Sequence, residues 1–278
     1  MRNILSFILL IILVLASCEE LETPSFNEFV IEAFITADHR IDDIRIKKTS
    51  SLEDEEILDI PIENANVSLS NGERSIQLAY NANSAKYGYL DNDFEINVGH
   101  EYFLEVEVDG AVASSNALVP EKPVGLTLSD SILIVPELTL SFTLRDEIFD
   151  LFQNERARLS WDSIPGRSYF VVIEQRAIEL DTIMPKGIPQ ESLDLLSSFR
   201  FISAPSEQNY FEIIAVALET YGPHVAKVYS VNQEYVDLFN SAEQDSRDLN
   251  EPPSNITNAL GIFTAFAVDS LEFEVRRE

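Results

Sequence analysis

Hydrophobic and polar residues alternate in short runs through the first half of the chain. Residues 28–37 (EFVIEAFITA) partly alternate and are rich in β-branched and aromatic side chains, as in a half-buried strand. The same pattern predicts strands at 43–49, 64–70, 74–80, 85–90, 101–108 and 111–119. Seven short runs separated by turn residues favour a compact β-sandwich.

Turn residues between these runs predict antiparallel pairing. Asn71-Gly72 and Asp109-Gly110 each separate two runs, and both pairs are favoured in tight hairpins. Side chains alternate across a strand, so one set of residues in the run 102–108 should face the core. That set is Tyr102, Leu104, Val106 and Val108.

Prolines mark the best domain boundary. Pro120 and Pro123 interrupt strand pairing on both sides of the stretch 120–123. We therefore expect an N-terminal β-sandwich over 28–120 and a C-terminal β-rich domain over 121–278.

The second half of the chain mixes strand patterns with a few helical ones. A helical turn is predicted within 145–156, a short helix at 190–200, and a third helix capped by Asn232. Strands are predicted at 126–134, 138–144, 157–161, 169–173, 209–218, 225–231, 260–268 and 271–275.

Leu159 and Trp161 precede a turn at Pro165-Gly166 and the apolar run 169–173. This arrangement resembles the second and third strands of fibronectin type III modules. The resemblance implies that Trp161 is a core anchor, with ligand stacking as the alternative. The predicted fold class is mainly β: two β-sandwich domains, immunoglobulin/fibronectin-like or transthyretin-like, with short helices in the second and insertions in its fibronectin type III-like framework.

The first eighteen residues have the pattern of an export signal. Arg2 precedes an apolar run from Ile4 to Leu15, and the small residues Ala16 and Ser17 lead to Cys18. The run is short for a membrane span, and acidic residues follow it. We interpret residues 1–17 as a signal peptide and 18–27 as a tether.

The segment Leu15-Ala16-Ser17-Cys18 resembles a bacterial lipobox. That resemblance implies lipidation of Cys18 with acyl chains such as palmitate, which would hold the mature protein on a membrane. The alternative is an ordinary secretory signal with an incidental cysteine. Since Cys18 is the only cysteine, the chain forms no internal disulfide.

The net charge of the chain limits the classes of molecule that it can bind. Its 48 acidic and 19 basic residues give a formal charge of −29, which repels nucleic acid and anionic lipid surfaces. A solvated acidic surface and a specific cation-binding face are both open interpretations.

The sequence contains no recognisable catalytic motif, so we expect no enzyme, no metal and no cofactor. His39, His100 and His224 lie far apart and are expected on exposed loops, with a ligand or general-base role as the alternative. Residues 91–95 (DNDFE) resemble the start of a calcium loop, although a polar turn explains them better. Tyr87 and Tyr89 share one strand face and are weak candidates for a sugar-binding platform; a packed face is the alternative.

Several phrases occur in a characteristic order after the lipobox: IEAFIT, IPIENANVSLSNGE, VGHEYFLEVEVDG and PPSNITNALGIF. Together they resemble Bacteroidota outer-membrane lipoproteins of a domain-of-unknown-function family encoded beside SusC-like TonB-dependent receptors. The resemblance implies an accessory role in nutrient uptake, with the receptor and an unidentified nutrient as partners. It implies no catalytic residues. An envelope glycan or peptide hydrolase and a structural or adhesion lipoprotein remain as alternatives.

Acidic residues at Glu19, Glu20 and Glu22 resemble the surface-export signal of such lipoproteins. They favour the outer membrane, with the periplasmic and the outward orientation both open. Four Asp-Ser/Thr-aliphatic tripeptides also resemble a Bacteroidota O-glycosylation pattern, although ordinary turns contain such tripeptides too. Their hydroxyl residues are Ser131, Ser163, Thr182 and Ser270.

Overall fold

Strands dominate the computed structural model, as the alternating pattern predicts. It describes residues 29–49, 60–138, 143–176, 181–183, 202–218, 220–242 and 253–278. The predicted signal peptide, the tether with Cys18 and the predicted helix at 190–200 lie outside these residues.

All seven strands predicted in the first half are present, and each buries one face. In β6, Tyr102, Leu104 and Val106 are buried while Phe103 is 44% exposed, which confirms the predicted core face. The strands are β1 (Phe29–Thr36), β2 (Asp43–Lys48), β3 (Asn66–Ser70), β4 (Ser75–Asn81), β5 (Lys86–Gly88), β6 (Glu101–Val108) and β7 (Ala111–Leu118).

Both predicted hairpins are confirmed. In the β3–β4 turn the amide of Asn71 donates to the carbonyl of Arg74 at 3.2 Å, and Gly72 has φ +86°. In the β6–β7 turn Asp109 and Gly110 have φ values of +49° and +87°. Positive φ at both central residues is the conformation that matches the twist of the flanking strands.

Among its described residues, the second half contains seven strands and two α-helices. They are β8 (Thr127–Leu128), β9 (Ile132–Val135), α1 (Leu144–Asn154), β10 (Arg156–Ser160), β11 (Ser168–Gln175), β12 (Tyr210–Ile214), β13 (Gly222–Val231), α2 (Gln233–Ala242) and β14 (Leu260–Arg277). Helix α2 begins directly after Asn232, as predicted. The Asn232 side chain, however, donates to the carbonyl of Leu118 at 2.8 Å and so ties the helix start to β7.

Five predicted strands need correction. The strand predicted at 126–134 is two short strands, β8 and β9. The strand predicted at 138–144 is wrong at its end, because Leu144 begins α1; residues 139–142 lie outside the described ranges. The strand predicted at 209–218 ends at Ile214 and gives way to a 3-10 turn at Ala215–Ala217. The two strands predicted at 260–268 and 271–275 are one continuous strand, β14.

The first sandwich is assembled in the order β14-β1-β2-β5-β4-β3-β6-β7. Strand β1 pairs parallel with the first part of β14, from Val30 opposite Leu260 to Thr36 opposite Phe266. At the other end, the backbones of Ser114 in β7 and Thr257 exchange hydrogen bonds of 2.8 and 3.1 Å. Since Thr257 lies just before β14, the sheet order nearly closes on itself.

The second sandwich packs the sheet β12-β10-β8 against β11, β13 and the end of β14. Strand β9 pairs parallel with residues 274–277 of β14. Trp161 is buried between the layers, and its ring meets the ring of Tyr169 edge-on at 5.5 Å. The structure thus confirms the core position predicted for Trp161.

Strand β14 belongs to both sandwiches. Its residues Phe263, Ala265 and Ala267 lie in the first core, whereas Phe273 and Val275 lie in the second. A third cluster is aromatic, in which Phe266 packs with Phe34 of β1 and Tyr235 of α2. Eighteen residues of strand extend about 55 Å. The division of the chain at residue 120 stays a prediction, since the last strand contributes to both cores.

Candidate functional site

An open cleft with two lobes lies at the end of β1. The turn 37–42 and the loop 89–96 face each other across it. One lobe, of about 250 Å³, extends along that loop, and the other, of about 380 Å³, extends along β4 and β5. Arg40, Ile41 and Tyr89 line both lobes, so the two lobes adjoin each other.

Backbone contacts hold the walls of this cleft in place. The amide of Asp38 donates to the carbonyl of Ile96 at 2.9 Å, and the amide of Tyr89 donates to the carbonyl of Ile41 at 2.8 Å. A side chain at Gly88 would bring its Cβ to 2.8 Å from the same Ile41 oxygen, so only glycine fits there. The turn and the loop therefore approach each other as closely as their main chains permit.

A polar clamp fixes the ring of Tyr89. Its hydroxyl donates to Oδ1 of Asp93 at 2.7 Å, and Arg74 from the β3–β4 hairpin donates to Oδ2 of Asp93 at 2.7 Å and to the Tyr89 hydroxyl at 3.2 Å. The hydrogen bonds from Tyr89 and Arg74 lower the pKa of the Asp93 carboxyl. The hydrogen bond to Asp93 and burial raise the pKa of Tyr89, which therefore stays a neutral hydroxyl.

Tyr87 and Tyr89 do not form an exposed pair. Tyr87 is only 2% exposed; its hydroxyl donates to the carbonyl of Ile62 at 2.7 Å and accepts from the amide of Ala65 at 2.9 Å. Its ring packs against Tyr80 with centroids 5.2 Å apart. The predicted two-ring platform is therefore wrong for Tyr87, whereas the partly exposed Tyr89 lines the cleft.

The charges of the cleft are mixed. Arg40 is exposed and forms no ion pair within the described part of the chain. Asp42, Asp91 and Glu95 line the same space, and their carboxylates are also without ion pairs among the described residues. Asp38, by contrast, accepts from Nζ of Lys122 at 2.6 Å.

The DNDFE loop is a polar turn. Its Asp93 is occupied by Arg74 and Tyr89, and no group of three or more potential metal ligands occurs among the described residues. His39 lies on the rim of the cleft, and His100 is exposed elsewhere. The prediction of an exposed loop is wrong for His224, which is 3% exposed in β13 and stacks on Phe273 at 5.3 Å.

The four hydroxyl residues predicted as glycosylation sites are all exposed: Ser131, Ser163, Thr182 and Ser270. They lie in the second half of the chain, away from the cleft. Thr182 also pairs through its backbone with Thr220. Exposure makes the hydroxyls accessible, and their modification stays a prediction.

Residues 253–263 of the late phrase PPSNITNALGIF build the seam that closes the first sandwich. The Asn255 side chain accepts from the amide of Phe263 at 2.9 Å and donates to its carbonyl at 2.7 Å, as a neighbouring strand would. Asn258 has φ +63° and donates to the carbonyl of Val112 at 3.2 Å. The residues of this phrase therefore position β14, and they lie outside the cleft.

A comparison with models of protein families shows which family the chain belongs to. The family model described as "Domain of unknown function (DUF4249)" matches residues 19–272. The chain belongs to the DUF4249 family. In this DUF4249 protein the matched region begins directly after Cys18 and ends within β14.

Other comparisons add little about this DUF4249 protein. No curated protein matched it. Among solved structures, the FN1–FN3 domains of chicken CNTN1 are similar at 9% identity and a TM-score of 0.25, covering 89% of this chain and 66% of that one. This chain thus spans just under two thirds of that chain's length. Among the described residues, no helix is long and apolar enough to cross a membrane.

Sequence patterns missed two arginines of this DUF4249 protein, Arg40 in the lining of the cleft and Arg74 in the clamp on Tyr89. Arg40 lies in the turn after β1 and Arg74 in the β3–β4 hairpin. The phrase DHRIDD at 38–43 shows a turn rich in charged residues, which was the only signal available for Arg40. Nothing in the sequence connects this turn to the loop 89–96.

Proposed function

We propose that this protein is a lipid-anchored binding protein of the bacterial outer membrane, working as an accessory partner of a SusC-like TonB-dependent receptor in nutrient uptake. The observation that carries the proposal is the lipobox-like segment Leu15-Ala16-Ser17-Cys18 directly ahead of the family-matched body. Acyl chains on one cysteine suffice for stable membrane attachment when two or more are present.

The position of the cleft supports this function. The tether enters the body at Phe29, the first residue of β1, and the cleft lies beyond Thr36 at the other end of that strand. Eight strand residues separate the two ends by about 23 Å. The cleft thus lies at the opposite end of β1 from the predicted tether, which leaves it accessible to soluble ligands when the body is attached through Cys18.

Tethering supplies the mechanism. A ligand-binding body held beside a transporter works at an effective concentration that the tether sets, in the millimolar range for short flexible links. The ten residues of the predicted tether, 18–27, extend at most about 35 Å. The bound nutrient would thus remain within reach of a neighbouring receptor.

Lipidation is tested by replacing the acceptor sulfur. Cys18→Ser should abolish labelling by an alkyne-tagged fatty acid and release the signal-cleaved protein from membranes. Ser17→Ala is the matched control, because it keeps a small residue before the cysteine and should leave labelling intact. A labelled Cys18→Ser protein would overturn the proposed anchor.

The receptor partnership is tested by purification from membranes in mild detergent. We expect a large β-barrel protein to co-purify with the native chain in a stoichiometric amount. Two results together would contradict the accessory role: the acylated chain purifies alone, and a strain that lacks its gene grows normally on every nutrient. Protease treatment of intact cells separates the outward from the periplasmic orientation.

A further inference from the structure

We call the two-lobed cleft at the end of β1 the Arg40 cleft, because Arg40 lines both of its lobes. Most of the side chains that line this cleft can form hydrogen bonds. Arg40 can only donate, the carboxylates of Asp42 and Glu95 can only accept, and the amides of Asn81 and Asn92 do both. An apolar ligand would strip water from these groups without replacing their hydrogen bonds. The ligand must therefore carry both donors and acceptors along its length.

The charged side chains of the cleft also limit the charge that its ligand can carry. Three carboxylates without ion pairs among the described residues, in a chain of formal charge −29, repel a polyanion. Arg40 lines both lobes and also forms no ion pair among the described residues. Its guanidinium would repel a polycation that occupied both lobes. A neutral ligand whose hydroxyls both donate and accept meets both kinds of group.

Rings complete the lining. Tyr80 and Tyr89 are partly exposed on the cleft wall, and the clamp from Arg74 and Asp93 holds the Tyr89 ring in one position. A fixed aromatic surface beside hydroxyl-binding groups fits a ligand with one apolar face and a polar edge. Two adjoining lobes that share Arg40 and Tyr89 favour a ligand of more than one unit.

We infer that the Arg40 cleft binds a neutral oligosaccharide, with Arg40 bonding its hydroxyls and Tyr89 packing against the apolar face of a sugar ring. The inference rests on the proposed binding function and names the ligand class of the same cleft. It does not depend on the lipid anchor, which the fatty-acid labelling of Cys18 tests separately.

The experiment is calorimetric titration of the full acylated chain in detergent micelles. The probes are cellohexaose, maltohexaose and xylohexaose as neutral ligands, with hexagalacturonate and the chitosan hexamer as charged ones. We expect at least one neutral hexamer to bind, with an affinity that changes less than about twofold between low and high salt. Arg40→Ala and Tyr89→Ala should each weaken that binding by about tenfold or more.

Arg45→Ala is the matched control. Arg45 is also exposed, lies on the neighbouring strand β2 and approaches Asp43 at 4.0 Å, but it does not line the cleft. Its substitution should leave the affinity unchanged. Failure of all three neutral hexamers to bind, binding of the charged hexamers alone, or equal losses in Arg40→Ala and Arg45→Ala would each overturn the inference. A protein that stays fatty-acylated yet binds none of the neutral hexamers loses its ligand assignment and keeps its anchor.

Discussion

Gly261→Ala should destabilise both sandwiches at once. Gly261 lies at the start of β14 with φ +116°, and a Cβ there would come within 2.0 Å of the carbonyl oxygen of Ile31 in β1. Alanine at positive φ costs about 1–2 kcal/mol by itself. Because the obstructing atoms are main chain, the paired strands must also separate, so we expect a total loss of at least about 3 kcal/mol. That is a large fraction of the roughly 5–15 kcal/mol that stabilises a domain.

Gly72→Ala is the control that separates the cost of positive φ from the cost of the steric clash. Gly72 has φ +86°, and nothing lies within 4 Å of a Cβ placed there, so its substitution costs only the conformational part. Urea unfolding followed by far-ultraviolet circular dichroism reports on the strands of both sandwiches, whereas the fluorescence of Trp161, the single tryptophan, reports on the second core. We expect Gly261→Ala to lower both midpoints together. Equal losses in the two variants, or a Trp161 transition that Gly261→Ala leaves in place, would refute the reasoning.

Two further substitutions test local strain and buried ionisation. Ala85→Gly should raise the free energy of unfolding by about 1 kcal/mol in the same urea assay, because Ala85 adopts φ +53° in the β4–β5 turn; a lower stability would show that unfolded-state entropy dominates. Burial lowers the pKa of His224 below its ordinary 6.5, so the unfolded chain takes up the proton first as the pH falls. The folding stability that depends on a neutral His224 is fully present above pH 6.5. It is lost as the pH falls from 6.5 through the lowered pKa of the folded state. His224→Phe keeps the ring beside Phe273 and should flatten the fall in stability over this interval; an unchanged slope would contradict the buried neutral state.

Period-two alternation made the strands of the first sandwich predictable. In β6 the alternating residues Tyr102, Leu104 and Val106 are buried as predicted, and Asp109-Gly110 supplies the turn to β7. The continuity of β14 was not predictable in this way. Asp269-Ser270 suggests a turn, yet these residues pair with Val228 and Lys227 of β13, and the neighbouring strand keeps the chain extended. Tertiary pairing outweighs local preference there.

The cleft was only partly predictable for a similar reason. Tyr89 could be nominated because aromatic residues in a strand end are visible in the sequence. Arg40 became a candidate only when the fold brought its turn against the loop 89–96. His224 was misjudged because Gly222 and Pro223 suggest a loop, although β13 already begins at Gly222 and pairs with β14 there.

Strand β14 completes a sandwich whose other strands, β1 to β7, come much earlier in the chain. The sandwich therefore cannot be completed when its first seven strands have been made. A ribosome releases β1 to β7 long before it makes Leu260 to Phe266, so β1 lacks its parallel partner until that later segment has been made. For the exported protein that we propose, this delay is useful. We expect the incomplete sandwich to remain unfolded enough for export, because the outer edge of β1 is paired only after β14 has also crossed the membrane.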